Sequence, residues 1–364
     1  MIQLFYNLPA NRRYQVPETK NRHILTAQTG YPCDAKRAIL FFLMVCRVIF
    51  SGNDNVIAGS TEFSIIHTIY FKTTGGSSSD GALPDAVTIP LKRAGRLLLM
   101  EARIDNETGN FIFDTGSSKL VLNNTYFRKY LTTDAGTRGG ITGNVSGVRQ
   151  TRVNLIQISD LSYRNVTADM ADLGHIENRR NVKILGLFGF SLLKDMEIVI
   201  DVNHNELHLY RLGKDGTRIS RKDKEFEADI TQKIIVYQDI VFVNPRIGGK
   251  LLSFCLDTGA ESNVLNSASP RKVISTVTIT RRSGLVGAGS SQSDVLFCNL
   301  NDFMIGDKQI PLMQAILTNL EDMSAAYGFS VDGMLGYDFF EKGEICINLV
   351  TREIKICFQK TEKS

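Results

Sequence analysis

The sequence predicts a mainly β protein built from two related halves. Three observations carry that expectation. Short apolar runs alternate with turns rich in Gly, Asn and Asp, and long helical periods are few. A strand–turn–strand stretch occurs twice, as Phe111-Ile112-Phe113-Asp114-Thr115-Gly116-Ser117-Ser118 and as Phe254-Cys255-Leu256-Asp257-Thr258-Gly259-Ala260-Glu261. The two aspartates are 143 residues apart (257 − 114), and a second matched pair, Gly186-Leu187-Phe188-Gly189 and Gly333-Met334-Leu335-Gly336, is offset by 147 (333 − 186). Two landmarks at nearly one offset indicate an internal duplication, and two repeats suit a pair of pseudo-twofold-related lobes better than a solenoid.

In chain order, residues 1–60 read as a leader. Lys36-Arg37 precedes an apolar run, Ala38 to Cys46, and Val48-Ile49-Phe50 follows Arg47. A basic flank before a short apolar core has the form of a secretory signal or signal-anchor. The expectation is an exported protein, with membrane association through residues 38–50; a buried segment of the mature chain is the alternative reading. Residues 61–84 hold a β-prone run and a Gly/Ser-rich linker around Gly75 to Gly81.

The first lobe is expected over 85–213. Strands are read at 87–91, 97–104 and 110–113, the last delivering Asp114, with the hairpin turn placed at Asn106 to Asn110. A short helix follows at 125–131, then a Gly-rich segment at 138–147, strands at 153–158 and 166–170, a polar loop at 172–182, the segment 184–190, and a hairpin from 197 to 210. A charged interlobe linker covers 214–230. The second lobe, 231–364, repeats the scheme: a strand region at 234–243, a hairpin around Gly248-Gly249 that feeds Asp257, a short helix at 270–274, strands at 295–304 and 310–317, and a closing hairpin.

The net charge of +4 over 364 residues is small and the basic residues are dispersed, which excludes nucleic acid as an expected partner. No Gly-Lys-Ser/Thr phosphate loop or zincin-type His pair is present, and the five His are scattered. His204 and His208 fall in a strand–turn–strand, where their spacing does not converge on a metal. No metal and no cofactor are expected. Six Cys in so long a chain are not a disulfide scaffold. Cys346 and Cys357 flank a hairpin whose turn is read near Thr351-Arg352, which sets them opposite each other as a cross-strand disulfide or as two buried thiols.

The paired Asp-Thr-Gly turns with their downstream apolar-Gly segments resemble the aspartic proteases, in the pepsin-like and retropepsin-like sense, over roughly residues 85–358. The resemblance implies a bilobal acid-protease-like fold, mainly β, of two pseudo-twofold-related β-barrel lobes. It implies that Asp114 and Asp257 are the catalytic pair, that Thr115, Gly116, Ser117, Thr258 and Gly259 support the active-site loops, and that Leu187-Phe188-Gly189 and Met334-Leu335-Gly336 brace them. Ser117 or Ser118 would hydrogen-bond the outer oxygen of Asp114. Gly139, Gly140, Ile141 and Gly143 would form a flap over the cleft or an ordinary hairpin loop, with Gly284 and Gly287 as the second-half counterpart. The pepsin-type flap Tyr is missing between Gly136 and Gln150, so the flap is closer to the Gly-rich retropepsin form. The second turn also departs from pepsin: Ala260 and Glu261 stand where small hydroxyl residues are expected. Glu261 either points at the pair and raises its shared proton's pKa, or faces solvent or a basic side chain and does little.

Two carboxylates at hydrogen-bond separation share one proton, because both cannot ionise. The ionised one activates a water and the protonated one donates to a peptide carbonyl oxygen. The function expected from the resemblance is therefore an aspartic endopeptidase, a monomer acting on a peptide or protein substrate. Two other readings are a non-catalytic peptide- or protein-binding module on the same scaffold, and two domains that share no site.

Overall fold

The computed structural model describes residues 2–3, 84–134, 138–140, 143–145, 149–220, 226–237, 239–286, 292–321, 323–324 and 329–358. The expected leader and the apolar run at 38–50 lie outside the described residues, as does nearly all of the 61–84 segment. Among the described residues no helix is long and apolar enough to cross a membrane.

In the first half, β1 (Ala86–Ala94), β2 (Leu97–Ile104) and β3 (Glu107–Asp114) form an antiparallel meander. Then come β4 (Val121–Asn123), α1 (Asn124–Phe127), β5 (Thr132–Asp134), the short hairpin β6 (Arg138–Gly140) and β7 (Gly143–Val145), and the long hairpin β8 (Arg149–Ile158) and β9 (Leu161–Ala171). Helix α2 (Gly174–Arg180), β10 (Ile184–Gly189) and the hairpin β11 (Met196–Asp201) and β12 (Glu206–Arg211) complete it.

The second half runs β13 (Ile230–Lys233), β14 (Ile235–Tyr237), β15 (Ile240–Val243), β16 (Arg246–Ile247), β17 (Lys250–Leu251), β18 (Phe254–Leu256), β19 (Asn263–Asn266) and α3 (Arg271–Ile274). It continues with β20 (Val277–Val286), β21 (Gln292–Leu300), β22 (Phe303–Ile305), β23 (Lys308–Gln309), β24 (Met313–Thr318), β25 (Gly333–Leu335), α4 (Tyr337–Phe340), β26 (Gly343–Asn348) and β27 (Glu353–Phe358).

The halves are joined by antiparallel strands in the order β13-β27-β26-β11-β12-β1, three from each half. Its centre is the β11–β26 pair, with Ile198 opposite Ile347. β1 shows the pattern of a half-buried strand: Val87, Ile89 and Leu91 point inward while their neighbours face out. One core cluster runs through both halves and includes Phe111, Phe113, Phe188, Phe254, Phe303, Phe339 and Phe340, all essentially without exposure. Each such ring contributes about 1.5–3 kcal/mol relative to an exposed one.

The first half closes into a six-stranded barrel, β2-β3-β10-β4-β9-β8, sealed where β8 returns to β2 through Arg103–Gln157 and Ile104–Ile156. Asp105, at φ 49 in the β2–β3 turn, ties this seam. Its N–H donates to Leu155 O at 2.9 Å and its Oδ1 accepts from Leu155 N at 2.9 Å, while Tyr130 O–H donates to Oδ2 at 2.7 Å. The turn thus sits at Asp105-Asn106, ahead of the stretch the sequence suggested.

The second half carries equivalent strands but divides them between an eight-stranded sheet, β14-β15-β18-β25-β19-β24-β21-β20, and a four-stranded one, β17-β16-β22-β23. The hairpin that is continuous as β2–β3 is broken here at Asn244-Pro245 and at Leu252-Ser253. Pro245 has no N–H to give a ladder. Leu252 N–H donates to Pro245 O at 2.9 Å and Asn244 Nδ2 to Leu252 O at 3.1 Å, so the outer part of the hairpin bends away to pair with β22.

Two expectations need correction. The loop read at 172–182 contains α2, a two-turn helix without an apolar period, supported by Glu177 in its first turn and Arg179 and Arg180 in its last, and ended by Asn181 at φ 50. In the closing hairpin Glu344 lies opposite Cys357 and Cys346 opposite Lys355. Asn348 Oδ1 accepts from Val350 N at 3.1 Å and Thr351 N at 3.0 Å, which moves the turn one residue back and the register by two. Cys346 and Cys357 form no disulfide; Cys346 is buried and Cys357 half-buried.

Candidate active site

Each Asp-Thr-Gly turn is held the same way. β3 ends in Asp114 beside a parallel β10, with Phe188 opposite Phe113 and Gly189 opposite Asp114, and β4 lies antiparallel on the far side of β10. In the second half β18 runs parallel to β25, with Leu335 opposite Leu256, and β19 takes the place of β4. The bracing segments grip the turns through the backbone. Phe190 N donates to Ser117 O at 2.9 Å and Ser191 N to Ser118 O at 3.0 Å; Tyr337 N donates to Ala260 O at 2.9 Å and Asp257 N to Leu335 O at 2.9 Å. A Cβ on Gly189 would stand 2.1 Å from Lys119 O and one on Gly336 2.5 Å from Ala260 O, so only glycine lets brace and turn approach this closely.

Thr115 and Thr258 lock the turns together reciprocally. Thr115 N donates to Thr258 Oγ1 at 3.0 Å and Thr258 N to Thr115 Oγ1 at 3.0 Å. Thr115 Oγ1 then donates to Leu256 O at 3.1 Å and Thr258 Oγ1 to Phe113 O at 2.7 Å. Every donor in this buried knot has an acceptor in the opposite half.

The carboxylates are matched as well. Asp114 Oδ1 accepts from Gly116 N at 2.9 Å and Ser117 N at 3.1 Å; Asp257 Oδ1 accepts from Gly259 N at 2.8 Å and Ala260 N at 3.1 Å. The halves interleave here: a Cβ on Gly116 would lie 2.5 Å from Asp257 Cγ, and one on Gly259 2.8 Å from Asp114 Oδ1. Asp114 is 3% exposed and Asp257 1%, so both lose most of their hydration. Burial raises both pKa values, and Asp257 is raised further by the Asp114 charge and the hydrogen bond between them. Two carboxyl groups that interact this closely release their protons in steps that belong to the pair rather than to either residue.

Other anticipated residues fall in different places. The Ser117 hydroxyl donates to Lys119 O at 3.1 Å, and it is the Ser117 backbone N–H that reaches Asp114. Gly139, Gly140 and Gly143 belong to the β6–β7 hairpin, and Gly284 pairs with Asp294 in β20–β21. Ile141 and Gly287 lie outside the described residues. Glu261 faces neither solvent nor the pair: it is 1% exposed and bonds to Arg180 of α2. Burial raises its carboxyl pKa, opposed by the charges of Arg180, Arg179 and Arg96.

Several supporting residues escaped sequence reasoning. Asn123 Oδ1 accepts from Thr125 N at 3.1 Å and its Nδ2 donates to Ile184 O at 2.9 Å. Asn266 Oδ1 accepts from Ala268 N at 3.0 Å and Leu320 N at 3.2 Å. These two are also 143 apart (266 − 123), a signal present in the sequence. Asp338 accepts from Arg96 at 2.6 Å and from Asn263 N at 3.3 Å. Arg96 left no mark in the sequence.

A mainly β bilobal fold with two carboxylates meeting at paired turns defines the aspartic-protease type of scaffold. Residues 100–192 match the family described as Aspartyl protease, which supports that assignment for the first half. No curated protein matches the chain. Among solved structures it is similar in fold to one described as edgp (8% identity, TM-score 0.46, covering 75% of this chain and 94% of that one). Basic 7S globulin from soybean is alike at 8% identity and TM-score 0.45, covering 76% and 95%. A retropepsin-like aspartic protease from Rickettsia conorii is alike at 18% identity and TM-score 0.26, covering 35% and 90%. These likenesses concern the fold alone.

Proposed function

We propose that this chain is an aspartic-type endopeptidase with Asp114 and Asp257 as its catalytic pair, carried by lobes over 85–213 and 231–364. The observation that supports this most is the meeting of two buried carboxylates from separate halves, each gripped by two backbone N–H groups. Nothing in a merely structural role requires two like charges to be buried together.

In this reading the ionised carboxylate takes a proton from a water as its oxygen attacks the peptide carbonyl carbon. The protonated partner gives its proton to the carbonyl oxygen, and a neutral tetrahedral diol forms. Collapse restores the carbonyl as one diol O–H gives its proton back to the carboxylate that had donated one, the C–N bond breaks, and the carboxyl that gained the water's proton passes it to the leaving amine. Thr115, Thr258, Gly116, Gly259 and Ser117 hold the geometry without exchanging protons. The flap glycines and export through the leader belong to the same proposal.

The test is incubation of the full chain with a diverse peptide library across pH, beside Asp114→Asn and Asp257→Asn. Cleavage by the wild type and its loss in both variants is expected. Cleavage retained in either variant, or a wild type that binds a pepstatin-type inhibitor without cutting any peptide, would overturn the catalytic reading.

A further inference from the structure

The contacts that flank the paired turns are related by the same pseudo-twofold, but their charges are not. Arg96 sits in the β1–β2 turn, and 143 residues on (239 − 96) Asp239 sits in the β14–β15 turn. Arg96 reaches into the second half, where Nη1 donates to Asp338 Oδ1 at 2.6 Å and to Glu261 O at 3.0 Å. Arg93 Nη1 donates to Tyr337 O–H at 2.6 Å, and Arg180 bonds to Glu261. On the opposite flank Asp239 is half-buried in the pseudo-equivalent turn, and the first-half charges of Lys119 and Lys194 pull its carboxyl pKa down against a larger upward push from burial. The pseudo-equivalents of the acidic partners are not acidic: Ser118 corresponds to Glu261 and Ser191 to Asp338. At each flank the first half supplies cations and the second half anions.

We propose that this junction is a charge-keyed interface that accepts only unlike halves, so the shared site is built by one first half and one second half. Two first halves would set Arg96 beside Lys119 and Lys194, with Ser118 and Ser191 in place of Glu261 and Asp338. Two second halves would set Asp239 against Glu261 and Asp338. Like charges juxtaposed in an interface suppress the wrong partner. The duplication left the turns, threonines and braces compatible with like pairing; the flanking charges reject it. This inference is independent of whether the site is catalytic.

The full chain tests it through a charge exchange. In Arg96→Glu/Asp239→Lys the key is inverted: each half now complements its own kind and repels the other. The neutral variant Arg96→Met/Asp239→Asn is the reference, with Asn suited to the positive φ of 61 at that turn. Sedimentation velocity gives the oligomeric state, and amide exchange over 113–118 and 256–261 gives protection of the threonine knot. The exchanged variant is expected to lose at least about tenfold in protection relative to the neutral one at low salt. Part of this should return at high salt as the charges are screened, and the protein should shift toward a dimer at low salt. If the exchanged protein does not fold, single Arg96→Glu and Arg96→Met are compared by unfolding temperature, with Glu expected lower and the gap closing with salt. Equal protection, equal association or equal unfolding temperature for charged and neutral variants would overturn the proposal.

Discussion

The two halves differ most where they are furthest from the paired aspartates. Around the turns they superimpose in kind, with the same reciprocal threonine bonds, the same two N–H donors per carboxylate and the same parallel brace. Away from the turns the first half closes a six-stranded barrel and the second opens into two sheets at Pro245. The difference teaches that the turn and brace form one unit, and that the outer strands are free to diverge provided they deliver β3 and β18 at the same angle. The flanks add an asymmetry of charge, with basic groups on one side of the junction and acidic groups on the other.

The comparison is broken most severely at the carboxylates themselves. Under the proposed function, Asp114→Asn and Asp257→Asn should each reduce peptide cleavage by on the order of 10³-fold or more, equally, since neither half can serve alone. Unequal losses measured in kcat/KM would show that the halves do not contribute equally. Next in size is an effect expected on one side only. Arg180→Met leaves Glu261 buried without its nearest charge partner and should cost about 3–5 kcal/mol in denaturant unfolding. Ser118→Ala, at the position equivalent to Glu261, should cost well under about 1 kcal/mol.

Thr115→Val and Thr258→Val should each destabilise by about 1–3 kcal/mol, and by similar amounts, because each strands a buried N–H in the other half. A large inequality between them would mean that the knot is not symmetric. The smallest effect is in pH dependence. Burial raises the carboxyl pKa of both aspartates in the folded protein, so above the ordinary carboxylate range the native state holds more protons than the unfolded chain. Stability therefore falls as pH rises through the raised values, by up to about 1.4 kcal/mol per pH unit per proton. Asp257→Asn should flatten that slope, most visibly above the ordinary carboxylate range; an unchanged slope would place its origin elsewhere.

Much of this architecture was legible in the sequence because it rests on local rules. The Asp-Thr-Gly turns, the Gly-containing braces and the hairpin around Gly248-Gly249 need particular residues at particular backbone positions, and those residues are visible one at a time. The mainly β class followed from short apolar runs between turns. What escaped was set by contacts distant in sequence. Arg96, Arg180, Glu261 and Asp338 acquire their roles only when the halves face each other, and no spacing rule marks a lone Arg as a cross-lobe donor. Helix α2 has no apolar stripe because it packs through Ile176 and its charged ends. The Cys346 register was missed because one side chain, Asn348, shifts the turn.

The central claim is that one carboxylate from each half joins a single proton-sharing pair. A carboxyl-¹³C NMR titration of the full chain, with Asp114→Asn and Asp257→Asn alongside, tests it directly. The account predicts that Asp114 and Asp257 respond together in the wild type, and that Asp114→Asn lowers the upper titration step at Asp257. Two independent titrations, each unchanged when the other aspartate is replaced, would contradict it.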